Sequence, residues 1–202
     1  MAKSGFGGIG VDDFYAGVWE GCFAPLLGGI GDDFSMNVAK QWEQEFYNKQ
    51  IPGVRKIAMR LSQVLRNDGG VLPVLKKQAK LGLAGKHGNG KQKFSWIHIE
   101  DLLRIINHLI EHKELSGSIN CTAPKVTTNR LFLKNLRNSV GKKFGLSSPL
   151  WMLKIGCFFI GTETELVMKS RNVVPEVLIQ NGFQFLFPTI EEALADLIKK
   201  QN

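Results

Sequence analysis

Apolar side chains recur every four residues at Phe34, Val38, Trp42 and Phe46. That spacing lines one face of a helix over 33–47, with Asp32 or Asp33 as its cap. The period then changes. After a turn at Pro52-Gly53, Ile57, Met59 and Leu61 alternate with Lys56 and Arg60, which predicts a buried strand from Val54 to Val64. Asn67-Asp68-Gly69-Gly70 closes that strand as a turn. Val71 to Leu81 reads as a helix with Pro73 in its first turn, where the missing N–H has no intrahelical partner to lose. A glycine- and lysine-rich loop occupies 82–93, and Phe94 to Ile99 predicts a short strand. Glu100 and Asp101 suit a helix N-terminus, and Leu102, Ile105, Ile106, Leu109 and Ile110 make the apolar face of a helix running to about Lys113.

Further along, Ser118 to Thr122 reads as a brief strand, and Thr128 or Asn129 starts a helix to Phe144 with Leu133, Leu136 and Val140 inside. An apolar helix is expected after Pro149 and a more polar one through Thr162 to Lys169. Val174-Pro175 opens a short helix that Asn181-Gly182 stops. Phe183, Phe185 and Phe187 alternate as a strand would, and Thr189 with Glu192 fits a capping box ahead of a helix from Ile190 to Lys199. Residues 1–33, by contrast, mix glycines, aromatics and acids without a lasting period. Gly5, Gly7 and Gly10 satisfy G-x-G-x-x-G, but a dinucleotide loop needs a strand before it and a helix after it. Only Met1 to Ser4 precede and Val11-Asp12-Asp13 follows, so an irregular glycine segment is expected. Strands and helices alternate from Val54 onward, which predicts an α/β or mixed α+β protein.

Composition adds little to the fold and more to the function. The 202 residues are 44% hydrophobic and 22% charged, enough for one domain, or one and a half, with a self-sufficient core. Cys22, Cys121 and Cys157 are odd in number and form no CxxC pair, which argues against a disulfide framework or a zinc ribbon and leads us to expect a reducing, cytoplasmic setting. The apolar run from Leu150 to Ile160 contains Lys154 and is shorter than the roughly 20 residues of a membrane span. No apolar h-region follows Met1, so no secretory signal is expected. Net charge is +8, concentrated at Lys76, Lys77, Lys80, Lys86, Lys91 and Lys93 and at Arg130, Lys134, Arg137, Lys142 and Lys143. With no zinc finger, RNP pattern or helix-turn-helix spacing, these read first as solvated faces. A phosphorylated small molecule comes second and nucleic acid last. His108, Glu111 and His112 match H-x-x-E-H literally. A third zinc ligand at a recognised spacing is missing and Leu109 and Ile110 belong to a core, so no metal is expected. His98, inside an apolar strand, reads as a hydrogen-bonded structural residue.

A more specific pattern is spread along the chain. It comprises Arg60-x-x-x-Val64-Leu65, Asp68-Gly69-Gly70, Leu81-Gly82-Leu83, Gly88-x-Gly90-x-Gln92, Ser95-Trp96-Ile97-His98-Ile99-Glu100-Asp101-Leu102 and Asn120-x-Thr122-Ala123-Pro124. Downstream are Ser170-Arg171-Asn172-Val173-Val174-Pro175, Gly182-Phe183-Gln184-Phe185 and Phe187-Pro188-Thr189 with Glu191-Glu192-Ala193-Leu194. Asp32-Asp33-Phe34 and Trp42-Glu43 lie upstream. Over 32–202 this set resembles the epimerase-like subfamily of extended short-chain dehydrogenases.

The resemblance implies a partial Rossmann-like unit over 1–68, with 1–31 irregular, and a mixed α/β substrate-binding domain over 69–202, in which 94–122 is a candidate to rejoin the sheet. It implies NAD or NADP as cofactor and a nucleotide sugar or a related phosphorylated substrate. Members of the family begin with a strand and a glycine-rich dinucleotide loop. This chain is expected to start past that point and to hold a dinucleotide poorly. The family's Tyr-x-x-x-Lys pair is broken, because Lys40 stands at the lysine but Met36 at the tyrosine. Neither Tyr15 nor Tyr47 has a lysine four residues later. Methionine transfers no proton, so no catalytic residue is assigned and little or no turnover is expected.

By the same resemblance, Lys40, Leu61 and Ser62 fall on the cofactor side, and Gln63, Gln92, Ser95 and Trp96 on the substrate side. Taken alone, Lys40 is an exposed helix lysine and Trp96 equally fills a core. His98 and Asp101 are expected to fix the strand-to-helix junction. Arg66, where relatives carry glycine, either contacts a phosphate or crowds the turn. Two rival functions remain, a non-catalytic ligand-binding or regulatory module and a basic nucleic-acid binder. Apolar surface left uncovered would favour a homo-oligomer.

Overall fold

In the computed structural model, which describes residues 14–19, 34–86, 88–146, 170 and 172–199, three strands form a parallel sheet in the order β1-β2-β6. They are β1 (Phe14–Trp19), β2 (Arg55–Leu61) and β6 (Gly117–Cys121). Ile57, Ala58 and Met59 are all fully buried, as expected of a parallel strand covered on both faces. β1 lies where the sequence pattern predicts no regular element. Its residues FYAGVW include aromatics and a valine that suit a strand, but a strand within a parallel sheet need not alternate and so leaves no period to detect.

Both predicted strands that flank the loop are divided. The run expected from Val54 to Val64 breaks at Ser62, whose N–H and Oγ both donate to the Cys121 carbonyl. Beyond the break, β3 (Gln63–Leu65) pairs in parallel with β5 (Trp96–His98). The run from Phe94 breaks at Ser95, because β4 (Lys93–Phe94) pairs instead with β7 (Thr127–Thr128), antiparallel.

Helix α1 (Phe34–Asn48) follows the predicted span but departs from the predicted face at Trp42. Trp42 is 50% exposed, while Glu43 and Tyr47 meet the sheet. Arg60 on β2 clamps the Glu43 carboxylate, with both oxygens 2.9 Å from one guanidinium nitrogen, and Ser118 on β6 donates to the same carboxylate. The Tyr47 hydroxyl accepts from the Ala58 N–H at 3.2 Å. The strand positions beneath this helix are polar, so the helix turns polar residues towards them. The Lys56 ammonium donates to the Phe46 and Lys49 carbonyls and so closes the C-terminal end of α1.

Helix α2 (Val71–Lys80) and α3 (Ile99–Glu111) form as expected. Helix α4 (Asn129–Ser139) is shorter than the predicted run to Phe144. Gly141 takes φ +73°, its N–H donates to the Asn138 carbonyl and the Lys142 N–H donates to the Arg137 carbonyl. These are the two bonds of a Schellman end. Helix α5 (Glu176–Gln180) and α6 (Ile190–Lys199) complete the described chain. The Thr189–Glu192 capping box is present in both directions, at 3.1 and 3.4 Å. The phenylalanines at 183–187 do not form a strand, because the Leu186 and Phe187 N–H groups donate to the Asp101 carboxylate rather than to a neighbouring strand. The helices expected after Pro149 and through Lys169, and the Gly5–Gly10 run, lie outside the described residues.

Two apolar clusters result. One gathers Ile57, Met59, Leu61, Ile97, Ile105, Leu109 and Ile119 with Leu178 and Phe183. The other gathers Leu65, Leu72, Trp96, Phe132, Leu133 and Leu136 with Ile190, Leu194 and Leu197. The C-terminal segment contributes to both. The fold is α/β with parallel strand pairing.

Candidate functional site

Because β1, β2 and β6 run in one direction, their carboxyl ends share one edge, where Leu61 is in register with Cys121. Open α/β sheets bind ligands outside that edge. Leu61 and Ser62 lie there, 4% and 5% exposed. Gln63 follows and is half-buried, with its N–H donating to the Ser95 carbonyl at 3.3 Å. Helix α1 runs antiparallel to the strands, since its Tyr47 meets Ala58 and its Glu43 meets Arg60 further along. Lys40 precedes Glu43 by three residues and is therefore carried about 4.5 Å further towards the carboxyl edge. Its side chain is exposed. Position 36, methionine in this chain, is one more turn along the same helix.

The substrate-side candidates are placed less uniformly. Ser95 is buried and accepts a hydrogen bond from the Val173 N–H at 3.1 Å. Gln92 is 9% exposed and its carbonyl accepts from Asn129 N–H at 3.0 Å. The Trp96 ring is fully buried in the second apolar cluster, and its Nε1 has no partner among the described residues. The Trp96 carbonyl accepts from Ala123 N–H at 2.7 Å and from the Thr122 hydroxyl at 3.3 Å. The structure therefore brings Leu61, Ser62, Gln63 and Ser95 together at the two strand breaks. Lys40 stands on the helix above, and the Trp96 indole points away into the core.

The nearby titratable groups limit the chemistry. Burial pushes the Cys121 thiol up to about 12, so it supplies no thiolate. Arg66 is paired with Asp68 through two 2.7 Å bonds, and that guanidinium holds the Asp68 carboxyl down at about 2. His98 Nδ1 accepts from the Glu100 N–H at 3.1 Å and caps α3, while Asp101 reaches across to the C-terminal segment instead of capping. The motif from Ser95 to Leu102 was visible in the sequence, but the partners of Ser95, His98 and Asp101 were not. The Glu43–Arg60–Ser118 cluster was missed altogether. Among the described residues no group of three or more His, Cys, Asp or Glu is arranged to hold a metal. The rings of His108 and His112 lie tilted against each other with centroids 4.0 Å apart, and His112 is engaged with Glu114 at 2.8 Å. No helix among the described residues is long and apolar enough to cross a membrane.

Lys40, Leu61 and Ser62 are the residues that could hold the nicotinamide-ribose end of a dinucleotide at this edge. Lys40 offers an exposed ammonium, Leu61 an apolar flank, and Ser62 an oxygen that keeps lone pairs after donating its proton to the Cys121 carbonyl. Residues 148–197 match the family model described as a domain of unknown function, DUF1731. An epimerase family protein of Staphylococcus aureus strain N315 is 33% identical over 168 residues, which is 83% of this chain and 55% of the relative. The crystal structure of a human epimerase family protein (isoform 2) with NADPH matches at TM-score 0.80 and 26% identity, over 91% of this chain and 64% of that one. The nucleoside-diphosphate sugar epimerase from Corynebacterium glutamicum matches at TM-score 0.65 and 29% identity, over 83% of this chain and 31% of that one. With its motifs and its parallel sheet in agreement with these likenesses, the chain is similar to the epimerase-like subfamily of extended short-chain dehydrogenases, and it spans about half the length of the curated relatives it matches.

Proposed function

We propose that this is an NAD(P)-linked, epimerase-like protein for a nucleotide sugar or a related phosphorylated substrate, and that as this chain it turns its substrate over weakly or not at all. The observation that carries the reading is the shared carboxyl edge of the parallel strands, with Leu61 and Ser62 on it and Lys40 on the helix above. In this reading Lys40 donates to the ribose hydroxyls, while Leu61 and Ser62 border the nicotinamide. Gln63, Gln92 and Ser95 lie on the substrate side, and Trp96 supports them from behind. Residues 1–68 then form the nucleotide side of the cleft and 69–202 the substrate side. A bound nicotinamide dinucleotide supplies hydride exchange. The proton transfer that must accompany it has no donor at Met36, which is why turnover is low.

A second reading, a ligand-binding module without catalysis, is favoured by Met36 itself. Tryptophan fluorescence with NADPH and NADH tests the cofactor assignment. Weak binding is expected, and Lys40→Ala should weaken it several-fold further. An unchanged titration curve for Lys40→Ala would contradict the assignment. Met36→Tyr restores the Tyr-x-x-x-Lys spacing and should raise NADPH-dependent conversion of a 4-keto nucleotide sugar by about 100-fold or more. Intact NADPH binding without any gain in turnover would transfer support to the binding module.

A further inference from the structure

Ser95, His98 and Asp101, three residues apart, straddle the turn from β5 into α3, and they are 5%, 2% and 1% exposed. Each meets the C-terminal segment. Ser95 Oγ accepts from Val173 N–H at 3.1 Å, and two residues earlier the Lys93 N–H donates to Ser170 Oγ at 2.9 Å. The His98 ring lies against Phe187 with centroids 3.9 Å apart, and its Nε2 is 3.4 Å from the Asp196 carboxylate. The two oxygens of Asp101 accept from Leu186 N–H at 2.8 Å and from Phe187 N–H at 2.9 Å, and Arg104 donates to the Gln184 carbonyl at 2.7 Å.

Each of these bonds answers a physical need. Residues 183–189 are irregular, so their backbone donors need partners from outside the segment. An ionised carboxylate accepting two N–H bonds is among the stronger ones available. The anchor sits midway along the segment. Leu178 and Phe183 on one side enter the cluster of the parallel sheet, and Ile190, Leu194 and Leu197 on the other enter the cluster of α2 and α4. The bonds to Lys93 and Ser95 fall where the chain leaves its pairing with β7 for its pairing with β3.

We propose that the Ser95–His98–Asp101 row is the receptor for the C-terminal segment, and that this segment is a strap whose seating fixes the course of the Gln92–Ser95 loop. The role falls largely on residues inside the matched family domain, whose description carries no function. The mechanical claim stands on packing alone. Only its bearing on substrate rests on the function proposed above. Without the strap, residues 90–95 keep the short β4–β7 pairing, the bonds from Asn129 and Arg130 to Gln92 and Gly90 and the Gln63 N–H on the Ser95 carbonyl, while the Val173 bond to Ser95 Oγ and the Lys93 bond to Ser170 are lost. Asp101 and Ser95 therefore act as positioning residues.

Hydrogen–deuterium exchange on the full chain tests this without any ligand. Asp101→Asn keeps the shape but places an N–H₂ against a backbone N–H. It should speed exchange at least tenfold at Leu186, Phe187, Val173 and Lys93, and trypsin should cut sooner after Lys91 or Lys93. The amides of β2 and α4 should keep wild-type protection. A uniform rise along the chain would make Asp101 a general stability residue and overturn the proposal, as would a rise confined to Leu186 and Phe187 with Lys93 unchanged. Should Asp101→Asn fail to fold, Ser95→Ala decides, since it removes the acceptor of the Val173 N–H. Faster exchange at Lys93, which does not bond the Ser95 side chain, supports the strap, and unchanged exchange there contradicts it.

Discussion

Among the described residues, α1 and the C-terminal segment are tied to the strands by joints that are built differently. Helix α1 is held to the sheet by the Arg60–Glu43 pair, whose side chains are 30% and 23% exposed. The C-terminal segment is held by Asp101, which is 1% exposed and receives two backbone N–H groups. Water competes at the first joint and is excluded from the second. Partly exposed ion pairs contribute little, whereas a buried donor left without its acceptor costs its full desolvation. The α1 joint that carries Lys40 should therefore yield more easily than the joint behind the Gln92–Ser95 loop.

Substitutions can break or sharpen that contrast. The largest effect belongs to the core behind the buried joint. Trp96→Ala should cost about 4 kcal/mol in urea denaturation, and a loss of less than 1 kcal/mol would make the indole a cleft wall. Asp101→Ala should come next at about 3 kcal/mol, measured as local opening at the Leu186 and Phe187 amides by hydrogen exchange, with β2 and α4 still protected. At the other joint, a double-mutant cycle on Arg60→Ala and Glu43→Ala should return a coupling of about 1 kcal/mol that shrinks as salt is added. Thr189→Ala, which removes half of the capping box of α6, should cost about 1 kcal/mol.

The smallest effects are read by titration. Burial and then the neighbouring His112 hold His108 below its ordinary 6.5, with Glu111 and Glu114 opposing. The unfolded chain therefore takes up the proton more readily, and stability should fall as pH drops below 6.5 and be flat above it. His108→Gln should remove that slope. Asp68, held at about 2 by Arg66, should titrate closer to its ordinary 3.8 in Arg66→Ala when followed by NMR.

Elements with local signals were legible in the sequence. The capping box fixed the start of α6, Asn181-Gly182 the end of α5, and the position of Pro73 the first turn of α2. What failed depended on distant partners. The breaks at Ser62 and Ser95 follow from which strand lies alongside, and no period encodes that. The exposure of Trp42 was missed because the apolar stripe of α1 cannot reveal that Arg60 and Ser118 make part of the underlying surface polar. The phenylalanines at 183–187 alternate as a strand would, yet their backbone donors are taken by Asp101. The site was legible as motifs and not as contacts. The run from Ser95 to Leu102 stood out as a motif, while the bonds of Ser95, His98 and Asp101 to the chain's own C-terminal segment emerged only from the fold.

The most direct test of the account is a two-dimensional amide NMR titration of the full chain with NADPH, with residue-resolved shifts. Perturbations concentrated at Lys40, Leu61, Ser62 and Gln63 are predicted. Shifts confined to the basic residues of 76–93 or 130–143, with the carboxyl edge of the parallel sheet unmoved, would contradict it.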